Sequence, residues 1–328
     1  MTDPRPDEVA LEAEVGHPGE RWQRLRDRVQ DEAITRFSEI EGDWLDLMWA
    51  LDAFRAAGIT PRKMGRNEVK DPSLLRGAIY REKGNWFATL IALLLQNQTH
   101  QQISPRTRVR GFSQNHQIDV AWPVRQEDPL ICVETKVSGA PPIGDGNARG
   151  SLDDFSNRRK ELKFAATDLK LNRRQQETVI EHWGAWREKA PPQTYFLWAA
   201  RLRTEPRKTG RLPKPGALPK VEVVERLVVE ADALRTSYLD GTGLIAWRRR
   251  ADGSGYEKVP VPERSKVTEL DDALYRIASE IKGLVGPGGR PPAPERPAKR
   301  DVDVDQLVDD KEGSSTTTAG DPMRSDPA

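Results

Sequence analysis

The stretch that decides the reading is Ile118–Lys136, IDVAWPVRQEDPLICVETK. Leu130-Ile131-Cys132-Val133 is a continuous apolar run of the kind found where a strand is buried on both faces of a sheet. It ends on Glu134 and Lys136, although burying an ionised side chain without a partner costs several kcal/mol or more. Successive strand residues alternate faces, so Glu134 and Lys136 emerge on one side and Val133 and Thr135 on the other. HQIDVAW (116–122) reads as the neighbouring strand, joined to PLICVETK (129–136) by the polar turn VRQEDP as an antiparallel hairpin. Asp119 then falls beside Glu134, and two adjacent carboxylates repel unless a cation lies between them. Oxygen-only ligation with open positions suits Mg²⁺, for which Mn²⁺ can substitute. The lysine beside them is placed to orient, or help deprotonate, an attacking water whose pKa such a cation lowers. This chemistry suits hydrolysis of a phosphodiester.

Other function classes are narrowed by composition. The 328 residues are 36% hydrophobic and 31% charged, as expected of a water-soluble protein. No apolar run approaches the roughly 18 residues that a bilayer span needs, so no membrane partner is expected. The acidic N-terminus, MTDPRPDEVALEAEVGHPGE, lacks the basic-then-apolar order of a secretory signal, which predicts a cytoplasmic location. Cys132 is the single cysteine; it excludes an internal disulfide and a multi-cysteine zinc cluster and reads as packing. The net charge of +1 conceals a polarised chain. Residues 201–220 carry seven basic residues against Glu205, whereas residues 301–328 carry eight acidic ones against Lys311 and Arg324. A basic body and an acidic end thus cancel in the sum.

Along the chain, residues 1–19 read as a disordered N-terminus. Residues 20–73 read as a helical section through the spacing of Trp22, Leu25, Val29, Phe37, Ile40, Trp44, Leu47 and Leu51. The helix from about Trp22 to Leu51 is also the candidate contact for a homodimer. Residues 74–285 read as the main domain. Its expected elements are a core helix at 84–98 entered through Gly84-Asn85, the hairpin, and a charged helix from about 151 to 171 with Ser151 as N-cap. A further helix to about Lys189 and a third strand in QTYFLWAARL follow. VEVVERLVV, GLIAWRRR and GYEKVPV read as weaker strands, with ADGSG as a hairpin turn, and VTELDDALYRIASEIKGL as an amphipathic helix. Residues 286–328 read as a disordered acidic tail.

Asp119, the spacer and Glu134-Thr135-Lys136 resemble the PD-(D/E)xK nuclease superfamily, which includes many restriction endonucleases and DNA-repair nucleases. The resemblance covers about Arg76 to Leu202 and includes the order helix, two hairpin strands, charged helix and strand. It implies an α/β fold with a restriction-endonuclease-like core, a mixed central sheet flanked by helices, and a Mg²⁺-dependent endodeoxyribonuclease of restriction or other defence type. By the same resemblance Asp119 and Glu134 are metal ligands, the Thr135 carbonyl a third, Lys136 the catalytic lysine, and Glu82 the nearest candidate for an additional acid on the core helix.

For DNA contacts, Arg106, Arg108 and Arg110 share one face if PRTRVRGF is extended, where they would neutralise phosphates or simply keep an exposed edge soluble. Ser113 and Gln114, just before the first strand, and Gln117 within it are further candidates, and Arg158 and Arg159 head a basic helix. QNQTHQQ (96–102) is either an adenine reader or an ordinary polar helix end. His100 and His116 are either a metal pair or polar residues at a cleft rim. The alternatives to a nuclease are a noncatalytic DNA-binding or regulatory protein on the same fold, and an interaction protein.

Overall fold

The computed structural model describes residues 6–59, 61, 72–124, 129–143, 146–153, 155–178, 191–205, 222–263 and 265–285, with backbone alone for 72–80 and 173–178. The helices are α1 (Pro6–Val15), α2 (Pro18–Asp31), α3 (Glu41–Ala56), α4 (Pro72–Thr99), α5 (Phe155–Thr178), α6 (Val224–Ser237) and α7 (Leu270–Leu284). The strands are β1 (Ser104–Arg110), β2 (Asn115–Trp122), β3 (Ile131–Ser138), β4 (Gln193–Arg201), β5 (Gly241–Arg249), β6 (Tyr256–Val259) and β7 (Thr268–Glu269).

The sheet runs β1-β2-β3-β4-β5-β6, with β7 also on β5. The β1-β2, β2-β3 and β5-β6 pairs are antiparallel, and β3-β4, β4-β5 and β5-β7 are parallel. It is therefore a mixed, open sheet. Its centre is β4, where alternation serves two cores at once. Tyr195, Leu197 and Ala199 join α2, α3, α4 and α7 on one face, and Phe196, Trp198 and Ala200 join α5 and α6 on the other. Burial on both faces explains why this strand is apolar almost throughout. Among the described residues, no helix is long and apolar enough to cross a membrane.

Several elements differ from the sequence reading. Residues 6–15, expected to be disordered, form α1, whose Leu11 and Val15 pack with Phe54 of α3. The core helix begins at Pro72, so Gly84-Asn85 lies within it; proline is tolerated in a first helical turn because its missing N–H has no partner there anyway. VEVVERLVV is rich in β-branched residues, yet it contributes the start of α6. Val224, Leu227, Ala231 and Leu234 supply the buried helical stripe, and packing overrides propensity.

Ser151 does not cap α5. Its N–H and hydroxyl donate to Glu222 at 3.0 and 2.9 Å, and the helix starts at Phe155. The face proposed for dimer contact is turned inward: Trp22, Leu25, Val29, Trp44, Leu47 and Leu51 are all buried in the chain's own core. Trp22 stacks on Trp86 of α4 at 5.3 Å. The expected helix to Lys189 (from residue 179), most of the basic stretch 201–220 and the acidic tail lie outside the described residues.

Candidate active site

The hairpin opens at the two acids. β2 and β3 are paired at Val120↔Val133, Ala121↔Cys132 and Trp122↔Ile131, and there the ladder stops. The next step of the same register sets Asp119 opposite Glu134. In place of a further ladder bond, the Asp119 carboxylate accepts the N–H and the hydroxyl of Thr135, both at 2.8 Å. β3 continues alongside β4, with Glu134↔Phe196 and Lys136↔Trp198 in register, while β2 continues alongside β1. The two strands fork at Asp119 and Glu134.

The fork is marked on the other side as well. Between the pairs Pro105↔Val120 and Thr107↔Ile118, Arg106 falls opposite Asp119, and its φ of +58° places it in the left-handed region that non-glycine residues seldom enter. Ile118 and Ala121 both pack against Leu169 of α5 with Cys132, although strict alternation would separate them. The strand turns over at Asp119.

Helix α5 covers the Glu134 face. Phe155 stacks on Trp198 at 4.6 Å, and one turn later Arg158 reaches Glu134. Arg158 Nη2 donates to Glu134 Oε2 at 2.8 Å and to the Thr135 carbonyl at 3.4 Å, while Nη1 donates to Glu161 at 3.2 Å. Burial pushes the Glu134 carboxyl up to about 7, and the Asp119 charge adds to the rise although Arg158 opposes it. Lys136 is held below its ordinary value by burial and by Arg158 and Arg149, with Glu161 and Asp119 opposing.

The donor set fits a hard divalent cation. Asp119, Glu134 and the Thr135 carbonyl are all oxygen donors, and a cationic guanidinium already bridges two of them. Glu82 does not complete the set. It lies half-buried on α4, where burial raises its pKa against the charges of Arg81 and Arg106. No group of three His, Cys, Asp or Glu side chains able to hold a metal occurs among the described residues.

The other sequence candidates have varied fates. Arg106, Arg108 and Arg110 are exposed along β1, although the left-handed backbone at Arg106 interrupts the extended run. Gln117 donates to the Arg106 carbonyl, and Ser113 gives its N–H and hydroxyl to Asp168 of α5 at 2.9 and 2.7 Å. Gln114 is exposed in the β1-β2 turn. Arg159 turns to Glu230 of α6 at 3.2 Å instead of toward the site. His116 pairs with Asp168 at 2.7 Å, which accounts for it without a metal. Asn97 and Gln98 donate to the carbonyls of Val29, Ile34 and Thr35, tying α4 to the α2–α3 connection rather than presenting amides to bases.

Two supports escaped sequence reasoning. Glu222 accepts the N–H of Ser151 and of Arg203, clamping the approach to α5 onto the end of β4. Gly111 lies so close to Asp168 that a Cβ there would collide with its carboxylate. The signal available for Gly111 was its place between Arg110 and Phe112 at a turn; for Glu222 nothing local marks it. No protein-family model, curated protein or solved structure matches the chain.

Proposed function

We propose that this protein is a metal-dependent DNA endonuclease with a restriction-endonuclease-like core, of restriction or other defence type. The observation that carries the reading is the fork: where the β2-β3 ladder opens, the continued register sets Asp119 opposite Glu134, close enough for their charges to interact, with Lys136 on the same face of β3 as Glu134. Asp119, Glu134 and the Thr135 carbonyl are the groups that would hold Mg²⁺ or Mn²⁺. When bound, such a cation supplies Lewis-acid polarisation of the phosphate and lowers the pKa of the attacking water.

The chain's own residues supply the remainder. Thr135 fixes the orientation of Asp119 through two hydrogen bonds. Lys136, exposed on the same face of β3 as Glu134, is placed to orient the attacking water. Phe196 and Trp198, on the strand beside Glu134 and Lys136, form an apolar wall that strengthens these interactions. Arg108 and Arg110 offer phosphate contacts at the β1 edge.

The test is cleavage of supercoiled plasmid, modified and unmodified, with Mg²⁺ or Mn²⁺, by the wild type, Glu134→Ala and Lys136→Ala. Nicked or linear product from the wild type alone supports the reading. A second reading, a noncatalytic DNA-binding protein on the same fold, is favoured by Arg158, which partly neutralises Glu134. It predicts DNA binding by all three proteins and metal-dependent cleavage by none.

A further inference from the structure

We infer that Arg158 is a resident counter-cation that competes with the divalent ion for Glu134 and the Thr135 carbonyl, and that Glu161 holds its guanidinium when the ion binds. The inference rests on the reading of Asp119 and Glu134 as a metal site.

The contacts of Arg158 place one nitrogen, Nη2, on both of the oxygens concerned, at 2.8 and 3.4 Å. An ion coordinating the same oxygens at roughly 2.0–2.1 Å would need the space that Nη2 takes. Two cations a few ångströms apart also repel strongly in a partly desolvated site. The guanidinium and the ion are therefore alternative occupants.

A second position is already built. Nη1 reaches Glu161, one helical turn further along α5, and the Glu161 side chain is 63% exposed. Rotation of the long arginine side chain can give up Glu134 while keeping Glu161. The present position is also incompletely satisfied, because Arg158 Nε is buried without a hydrogen-bond partner among the described residues.

This arrangement couples ion to substrate. A displaced Arg158 carries its charge near Lys136, where an incoming phosphate gives it a new partner, so DNA and the ion should tighten each other's binding. The part of the coupling that works through Arg158 should be lost with it, leaving only what the phosphate contributes by contacting the ion directly.

The experiment is Mn²⁺ binding to the full-length protein, followed by electron paramagnetic resonance of the free ion, with and without a DNA duplex in which cleavage is blocked by phosphorothioate linkages. Arg158→Ala and Arg158→Gln should bind Mn²⁺ about tenfold more tightly than the wild type without DNA, the size of penalty that a competing state imposes. Arg158→Lys, which keeps the charge, should stay within a few-fold of the wild type, and Glu161→Gln should weaken binding. DNA should tighten Mn²⁺ binding by a larger factor in the wild type than in Arg158→Ala. Circular dichroism melts establish that each variant is folded.

If Glu134→Gln abolishes Mn²⁺ binding but Arg158→Ala and Arg158→Gln bind no more tightly than the wild type, the competition is refuted and the metal site stands. If no folded variant binds Mn²⁺, or Glu134→Gln leaves binding unchanged, both the competition and the metal-site reading fall.

Discussion

Asp119 takes two hydrogen bonds from Thr135, one from the backbone and one from the hydroxyl, at the point where their strands separate. The side chain thus replaces the ladder bond that the fork removes, and its carboxylate is aimed by the neighbouring strand. Thr135→Val deletes one of the two bonds while keeping the side-chain shape. The expected loss is about 1 kcal/mol of stability and roughly 10–100-fold in metal affinity, the range found when a residue supporting a metal ligand is removed. Thermal melts and Mn²⁺ titration check it, and an unchanged affinity counts against a positioning role.

Glu134→Gln keeps the size of the side chain and removes its charge. Cleavage should disappear, whereas DNA affinity should hold or rise, because a negative group near the phosphates has gone. Gel-shift titration in the absence of divalent ions, beside the plasmid assay, separates the two effects. A large loss of DNA binding would point to a misfolded site.

Arg108 and Arg110 are exposed on one edge strand. If both contact phosphates, the double substitution Arg108→Ala/Arg110→Ala should lower the slope of log affinity against log salt by about 2. The slope is measured by fluorescence anisotropy between low and moderate salt. An unchanged slope assigns them to solubility of the edge.

Lys83 of α4 and Asp52 of α3 form an ion pair with side chains only 1% and 2% exposed. Tyr256 also donates to Asp52 at 2.7 Å and accepts from Arg201 at 2.9 Å, which ties the N-terminal helices to the sheet. Lys83→Met leaves the buried Asp52 carboxylate without its ion-pair partner, held by the Tyr256 hydroxyl, and should cost about 3 kcal/mol. Adding Asp52→Asn should recover a good part of that loss. Urea denaturation of the single and double variants measures the coupling.

Asp168 feels burial, which raises its pKa, but donation from His116 and Ser113 outweighs it and leaves the carboxyl below its ordinary value. A folded-state pKa below the unfolded one gives stability that is present above the unfolded pKa, about 3.9, and is lost as pH falls through the folded value. Asp168→Asn should therefore be less stable than the wild type at neutral pH, with a gap that narrows below about pH 4. Parallel urea titrations at pH 7 and pH 3 give the two gaps.

What the sequence determined by itself was local: the two hairpin strands, the strand β4, the amphipathic α7, and the approach of Asp119 to Glu134. Each follows from a short period of apolar residues, or from alternation across one turn, and needs no knowledge of distant packing. Only the tertiary structure decided that Val224, Leu227, Ala231 and Leu234 lie on a helix, since their β-favouring neighbours suit either state until a sheet face is offered to cover. The same holds for the charges. Arg158 meets Glu134 across 24 residues of chain, Lys83 meets Asp52 across 31, and Ser151 meets Glu222 across 71. Such pairs are chosen by how helices dock, because desolvation makes an unpaired buried charge costly and leaves the docked partner as the one group that can offset it.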